Sequence, residues 1–171
     1  MTYIFDFDGT LVDSMPIWGK MYTELLEEYG LSYPSDFVKT ITPLGNSGAA
    51  DMCIALGLKK TKEEIAEITH KRFLEAYSRV IKLKENVKET LLGLKREGNS
   101  LNVLTASPHK YLDVCLIHNE VFELFDNIWS IDDFGYAKNE KIIYKEVADF
   151  VESLVEAESK GRCTLCLLVR G

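Results

Sequence analysis

Tyr3-Ile4-Phe5-Asp6-Phe7-Asp8-Gly9-Thr10-Leu11-Val12-Asp13-Ser14 begins as a short apolar and aromatic run and passes into a turn signal. The run Tyr3–Phe7 predicts a buried strand, and Asp8-Gly9-Thr10 predicts the tight turn that ends it. Asp6 then sits at the strand's carboxyl end with Asp8 just beyond. In an open parallel sheet, ligands bind outside the carboxyl ends of the strands. A buried strand gains nothing from two carboxylates there, because an uncompensated buried charge is costly. A hard cation compensates both, and Mg²⁺ favours one or two carboxylates completed by substrate phosphate and water. The plainer alternative makes Asp8-Gly9 turn residues and Asp13 or Ser14 a helix cap. For Asp13 and Ser14 the cap reading is preferred.

Ser14 and Pro16 suit the start of a helix. Ile17, Trp18, Met21, Tyr22, Leu25, Leu26 and Tyr29 repeat at helical spacing before Gly30. Pro34 and Pro43 break the next stretch, and Gly45-Asn46-Ser47-Gly48 reads as a loop before a helix around Ala49–Leu56. Thr61 with Glu64 forms a capping-box pattern ahead of a long amphipathic helix. Asn86 with Glu89 opens another helix. Leu101–Thr105 predicts a second strand, Ser107-Pro108 a helix capped by Ser107, and Asn127–Ser130 a third strand. Asn139 is placed to cap a helix carrying Ile143, Val147, Phe150, Val151 and Leu154. Cys163–Val169 predicts the last strand.

Alternating strands and helices give an α/β class with a three-layer, mostly parallel sheet. The purely helical stretch between the first two strands exceeds what a crossover needs. Residues 14–84 are therefore expected to form an inserted helical domain, with 1–13 and 85–171 as the core.

The 171 residues are 46% hydrophobic, 11% aromatic and 27% charged, enough for one packed unit with an insertion. A net charge of −7 argues against a nucleic-acid or anionic-membrane surface, while a locally positive pocket still accommodates an anionic substrate. No apolar run approaches the roughly 18 residues of a membrane span, and no basic leader precedes the first strand, so a cytoplasmic protein is expected. The four cysteines are scattered in apolar runs and read as free thiols. Cys163 and Cys166 have CxxC spacing, but strand positions i and i+3 face opposite sides of a sheet. His70, His109 and His118 lack metal-ligand spacing and read as surface or satisfied core residues.

The stretch from Asp6 to Ser14 resembles the first signature motif of the haloacid dehalogenase superfamily, in the form DxDGTLxDS. The resemblance implies a Rossmann-like core with strand order 4-1-2-3 and an α-helical cap domain similar to that of the phosphoglycolate phosphatase and β-phosphoglucomutase branch. It also implies a phosphatase that uses Mg²⁺, held by Asp6 and Asp8, and a small phosphorylated metabolite as substrate. Asp6 would be the nucleophile and Asp8 the acid and base; dehalogenating members lack the second aspartate. Thr105 matches the second motif, with Ala106 and Ser107 assisting in phosphate binding. Lys138, with Lys141 as competitor, matches the third, and Asp132 and Asp133 fit the loop before it. Lys39, Gly45, Asn46 and Ser47 are the candidate substrate contacts in the cap, whereas Trp18 and Met21 read as cap core. A phosphomutase is the close alternative.

The fourth motif, an acidic residue or pair that supplies the remaining metal ligands, has no match. Cys163–Val169 is followed by Arg170-Gly171, without a fifth strand. Three readings fit: a shortened form of a normal enzyme, an inactive binding protein, or a site completed by Asp132 or Asp133. An open sheet edge would favour dimers, so a monomer or homodimer is expected.

Overall fold

A computed structural model describes residues 1–133, 145–149 and 165–168. In chain order the elements are β1 (Thr2–Phe5), α1 (Met15–Glu28), α2 (Phe37–Ile41), α3 (Gly45–Ala55), α4 (Lys62–Arg79), α5 (Val87–Arg96), β2 (Ser100–Leu104), α6 (His109–His118), β3 (Asn127–Trp129) and β4 (Leu165–Leu168). Residues 145–149 are also helical. The chain divides into two compact units, Met1–Asp13 with Lys82–Gly171, and Ser14–Ile81.

In the first unit the four strands form one sheet of order β3-β2-β1-β4. Every pairing is parallel, with Phe5 opposite Val103 and Leu168, and Val103 opposite Ile128. Parallel neighbours need long connections, and α6 supplies the one from β2 to β3. Ile4, Leu104 and Val147 form a buried cluster with Trp129 packed against it. Phe5 meets Phe125 edge-on at 6.3 Å. Each such side chain contributes roughly 1.5–3 kcal/mol on burial. Asn102, within β2, is fully buried and satisfied, donating to the Tyr3 carbonyl at 3.1 Å and accepting from Asn127 at 2.8 Å.

β1 stops at Phe5, two residues short of the apolar run. The Phe7 carbonyl accepts from the N–H groups of Thr10, Leu11 and Val12 at 3.2, 2.9 and 3.2 Å. Phe7 is fully buried, so its side chain joins the core while its backbone serves a turn. Asp6 directly precedes that turn and Asp8 lies in it.

The Ser14–Ile81 unit is helical. α1 buries Gly19, Tyr22, Leu25 and Leu26, and Pro16 lies in its first turn. Ser14 is its N-cap residue but makes no side-chain cap bond. α4 opens with the expected capping box: Thr61 Oγ1 accepts from the Glu64 N–H at 3.2 Å, and Glu64 Oε2 accepts from the Thr61 N–H at 2.8 Å.

One expectation is corrected here. Gly45-Asn46-Ser47-Gly48 is the first turn of α3 rather than a loop. A Cβ on Gly48 would lie 2.4 Å from that of Leu44, so glycine lets the preceding 3-10 turn run close against the helix. Buried Ala49 and Ala50 then hold the helix despite its weak intrinsic propensity. Asn86 is the N-cap residue of α5, which opens where the sequence placed it; its side chain makes no cap bond, and it takes the left-handed conformation at φ 63°. Lys138, Asn139, Lys141, Cys163 and Arg170 lie outside the described residues. Among the described residues no helix is long and apolar enough to cross a membrane.

Candidate active site

Asp6 leaves β1 one residue beyond the last paired position, and its Oδ1 accepts from the Phe7 N–H at 2.9 Å. The turn that follows is tied down from elsewhere in the core. The Lys84 ammonium donates to the Gly9 carbonyl, and the Lys84 N–H donates to the Leu11 carbonyl at 2.9 Å. Gly9 adopts φ 74°, a conformation open to glycine at no steric cost. Sequence reasoning missed Lys84, because no local spacing distinguishes it from a solvated lysine.

β2 delivers the second segment beside the first. Thr105 is 1% exposed; its N–H donates to the Trp129 carbonyl at 3.0 Å and its Oγ1 accepts from the Ser107 N–H at 3.0 Å. Ala106 is exposed and Ser107 half-buried. The Ser107 hydroxyl donates to Asp8 Oδ2. The cap expected of Ser107 is corrected: α6 begins at His109, and Asp132 Oδ2 accepts from the His109 N–H at 3.0 Å instead. Ser107 is thereby released to meet Asp8. The Asp8 charge is also felt inside the core, where burial first and Asp8 second push the Cys115 thiol up to about 12.

Asp6, Asp8, Thr105, Ala106 and Ser107 thus converge at the carboxyl ends of β1 and β2, where a parallel sheet receives ligands. The two carboxylates are hard oxygen donors at one strand tip, a set that fits Mg²⁺ when phosphate and water complete the shell. No group of three or more candidate metal ligands occurs among the described residues. Asp132 and Asp133 are engaged elsewhere. Besides the Asp132 contact to α6, Asp133 Oδ2 accepts from the Ser130 N–H at 2.7 Å and lies 2.8 Å from His109 Nε2.

The remaining candidates belong to the Ser14–Ile81 unit. Lys39 and Ser47 are exposed. Gly45 opens α3 at φ 64°. Asn46 Oδ1 accepts from Trp18 Nε1 at 3.1 Å and from the Tyr22 hydroxyl at 3.0 Å. Trp18 stacks at a tilt on Tyr22, with centroids 5.3 Å apart, so its ring helps hold Asn46 in place.

A family model described as haloacid dehalogenase-like hydrolase matches residues 3–154. A phosphoglycolate phosphatase from Haemophilus influenzae is 31% identical over 135 residues, which cover 72% of this chain and 59% of that protein. A phosphorylated carbohydrates phosphatase from Thermotoga maritima is 26% identical over 132 residues, covering 69% of this chain and 61% of that protein. The chain therefore spans less than two thirds of these relatives' length. A crystal structure from Thermotoga maritima, described as a candidate β-phosphoglucomutase, superposes with a TM-score of 0.78 at 22% identity, covering 97% of this chain and 74% of that one. That likeness establishes the Rossmann-like α/β fold.

Proposed function

The chain belongs to the haloacid dehalogenase-like hydrolases, and from that premise we propose that it is a phosphatase acting through a phosphoaspartate on Asp6. Its substrate is a small phosphorylated metabolite, such as a sugar phosphate, phosphoglycolate or a nucleotide. The observation that carries the reading is the meeting of the Asp6–Asp8 turn with the Thr105–Ser107 turn at one end of the sheet, through the Ser107–Asp8 contact.

In this scheme a carboxylate oxygen of Asp6 attacks phosphorus and the bond to the leaving oxygen breaks. Asp8 gives that oxygen a proton, then takes one from the water that hydrolyses the acyl phosphate. Thr105 and the backbone of Ala106 and Ser107 hold the phosphoryl oxygens, and Lys138 neutralises their charge. The Asp6 carboxylate and the main-chain carbonyl of Asp8 would hold Mg²⁺, which when bound would offset the negative charge gathered around phosphorus. The Ser14–Ile81 unit is the cap domain of such an enzyme, with Lys39, Gly45, Asn46 and Ser47 as its substrate-selecting residues.

The test compares the chain with Asp6→Asn, using Mg²⁺ and p-nitrophenyl phosphate. Turnover in the wild type, lost by at least about 10³-fold in the variant, supports the proposal. Trapping a hydroxylamine-sensitive phosphoryl group on Asp6 supports it further. Equal turnover in both proteins overturns the mechanism, and turnover in neither favours a binding protein.

A further inference from the structure

His109, which the phosphatase scheme does not use, lies between two carboxylates. Its Nδ1 is 3.0 Å from Asp113 Oδ1 on the next turn of α6, and its Nε2 is 2.8 Å from Asp133 Oδ2 in the turn after β3. Asp132 of the same turn accepts from its backbone N–H. Among the described residues these are the charged groups that face it; neighbouring Lys110 lies over the Tyr111 ring. A neutral imidazole has one N–H donor and one bare nitrogen, whereas a carboxylate only accepts. Both contacts are therefore hydrogen bonds at once only when the ring is protonated. In the neutral ring one carboxylate faces a lone pair.

The contact on Nε2 leads back to the candidate active site. The Asp133 oxygen that meets His109 also accepts the Ser130 N–H. The Ser130 hydroxyl donates to the Ser107 carbonyl at 2.7 Å, and the Ser107 hydroxyl donates to Asp8. The route contains no solvent gap: His109, Asp133, Ser130, Ser107, Asp8.

We propose that His109 is a positioning residue which, as an imidazolium, braces the Ser130–Asp133 turn against α6 and so fixes Ser107 on Asp8. Loss of its proton slackens that brace. The inference rests on the phosphatase reading for its effect on turnover, but the brace itself is a property of the core unit alone. Burial works against the charge on His109, and the hydrogen bonds and charges of Asp113 and Asp133 outweigh it, holding the pKa above 6.5. The brace is complete below that region and lost as pH rises through the raised value.

The deciding measurement is a pH titration of the substrate-free chain by ¹⁵N NMR, following the His109 ring and the Ser107 and Ser130 amides, with His70 and His118 as internal comparisons. His109 titrating above 6.5, with both amides moving along its curve, supports the proposal. A His109 at or below 6.5, or amides that ignore its titration, overturns it. Asp133→Asn serves as the second variant: it should lower the His109 pKa and uncouple the Ser107 amide, and failure to do either counts against the brace. With p-nitrophenyl phosphate, kcat of the wild type should fall about fivefold along the His109 curve while KM holds, and His109→Gln should lose that limb. If wild type and Asp6→Asn are both inactive, the phosphatase reading fails, and the NMR titration still decides the role of His109.

Discussion

The Ser107 hydroxyl donates to the Asp8 carboxylate across a separation of 99 residues. That contact joins the turn after β1 to the turn after β2, and it places a neutral donor on the group assigned proton transfer. A carboxylate that accepts such a bond is held in one orientation.

Ser107→Ala should therefore lower kcat for an aryl phosphate by about tenfold, the equivalent of one hydrogen bond to a charged group. Stability should change little, because the hydroxyl is half-buried and its removal leaves Asp8 other contacts. Steady-state kinetics beside a thermal melt separates the two effects. Unchanged kcat would remove Ser107 from the proton-transfer geometry.

Gly19 lies on the buried face of α1, and a Cβ there would meet Val38 Cγ1 at 2.4 Å. Alanine is the better helix former by about 1 kcal/mol, so an exposed site would gain from the change. Here the stiff β-branched neighbour makes overpacking the larger effect, and Gly19→Ala should destabilise by about 1–2 kcal/mol. Adding Val38→Ala should recover most of the loss in denaturant melts. A more stable single variant would show that the two helices part freely.

Burial raises the Cys53 thiol to about 11, and burial with the Asp8 charge raises Cys115 to about 12. The thiolate is the reactive form. At pH 8 in native buffer, iodoacetamide should leave both unmodified, and both should react once the chain is unfolded. Peptide mapping by mass spectrometry distinguishes them from Cys163 and Cys166. Native labelling of Cys115 at a rate near that of a free thiol would contradict its burial.

Asp126 reads as an acid-range probe of the core. Burial opposes its charge, but Lys95 Nζ at 2.6 Å and the Leu101 N–H at 2.9 Å outweigh that and hold its pKa below 3.8. A depressed folded pKa contributes stability that is fully present above the unfolded value and lost as pH falls through the folded one. Asp126→Asn should thus melt at a lower temperature than wild type at pH 7, with the gap closing below about pH 3.8. A gap that persists or widens in acid would reverse the sign of this contribution.

Much of the fold was legible because its causes are local. The capping box at Thr61 and Glu64 closes within one helical turn, so four residues of sequence contain both partners. The apolar run at Tyr3–Phe7 and the turn at Asp8-Gly9-Thr10 lie side by side, and the parallel pairing of the strands follows from the helices that separate them, whereas their order was implied by the family resemblance. Gly45–Gly48 misled because glycine and asparagine signal a loop, whereas the packing of Ala49 and Ala50 overrode that weak preference. Ser107 before Pro108 carries the ordinary mark of an N-cap, yet the cap of α6 comes from Asp132, 23 residues beyond His109.

By itself the amino-acid order determined which groups end up at the tip of the first strand, since a buried strand that runs into a glycine turn leaves its acids nowhere else to go. Only the tertiary structure decided whom each polar group would meet: Lys84 on Gly9, Ser107 on Asp8, and His109 between Asp113 and Asp133. The reason is physical. A hydrogen bond is short-ranged and goes to whichever partner is near and correctly oriented in space. Several local partners compete for each hydroxyl or imidazole until folding brings a distant one closer.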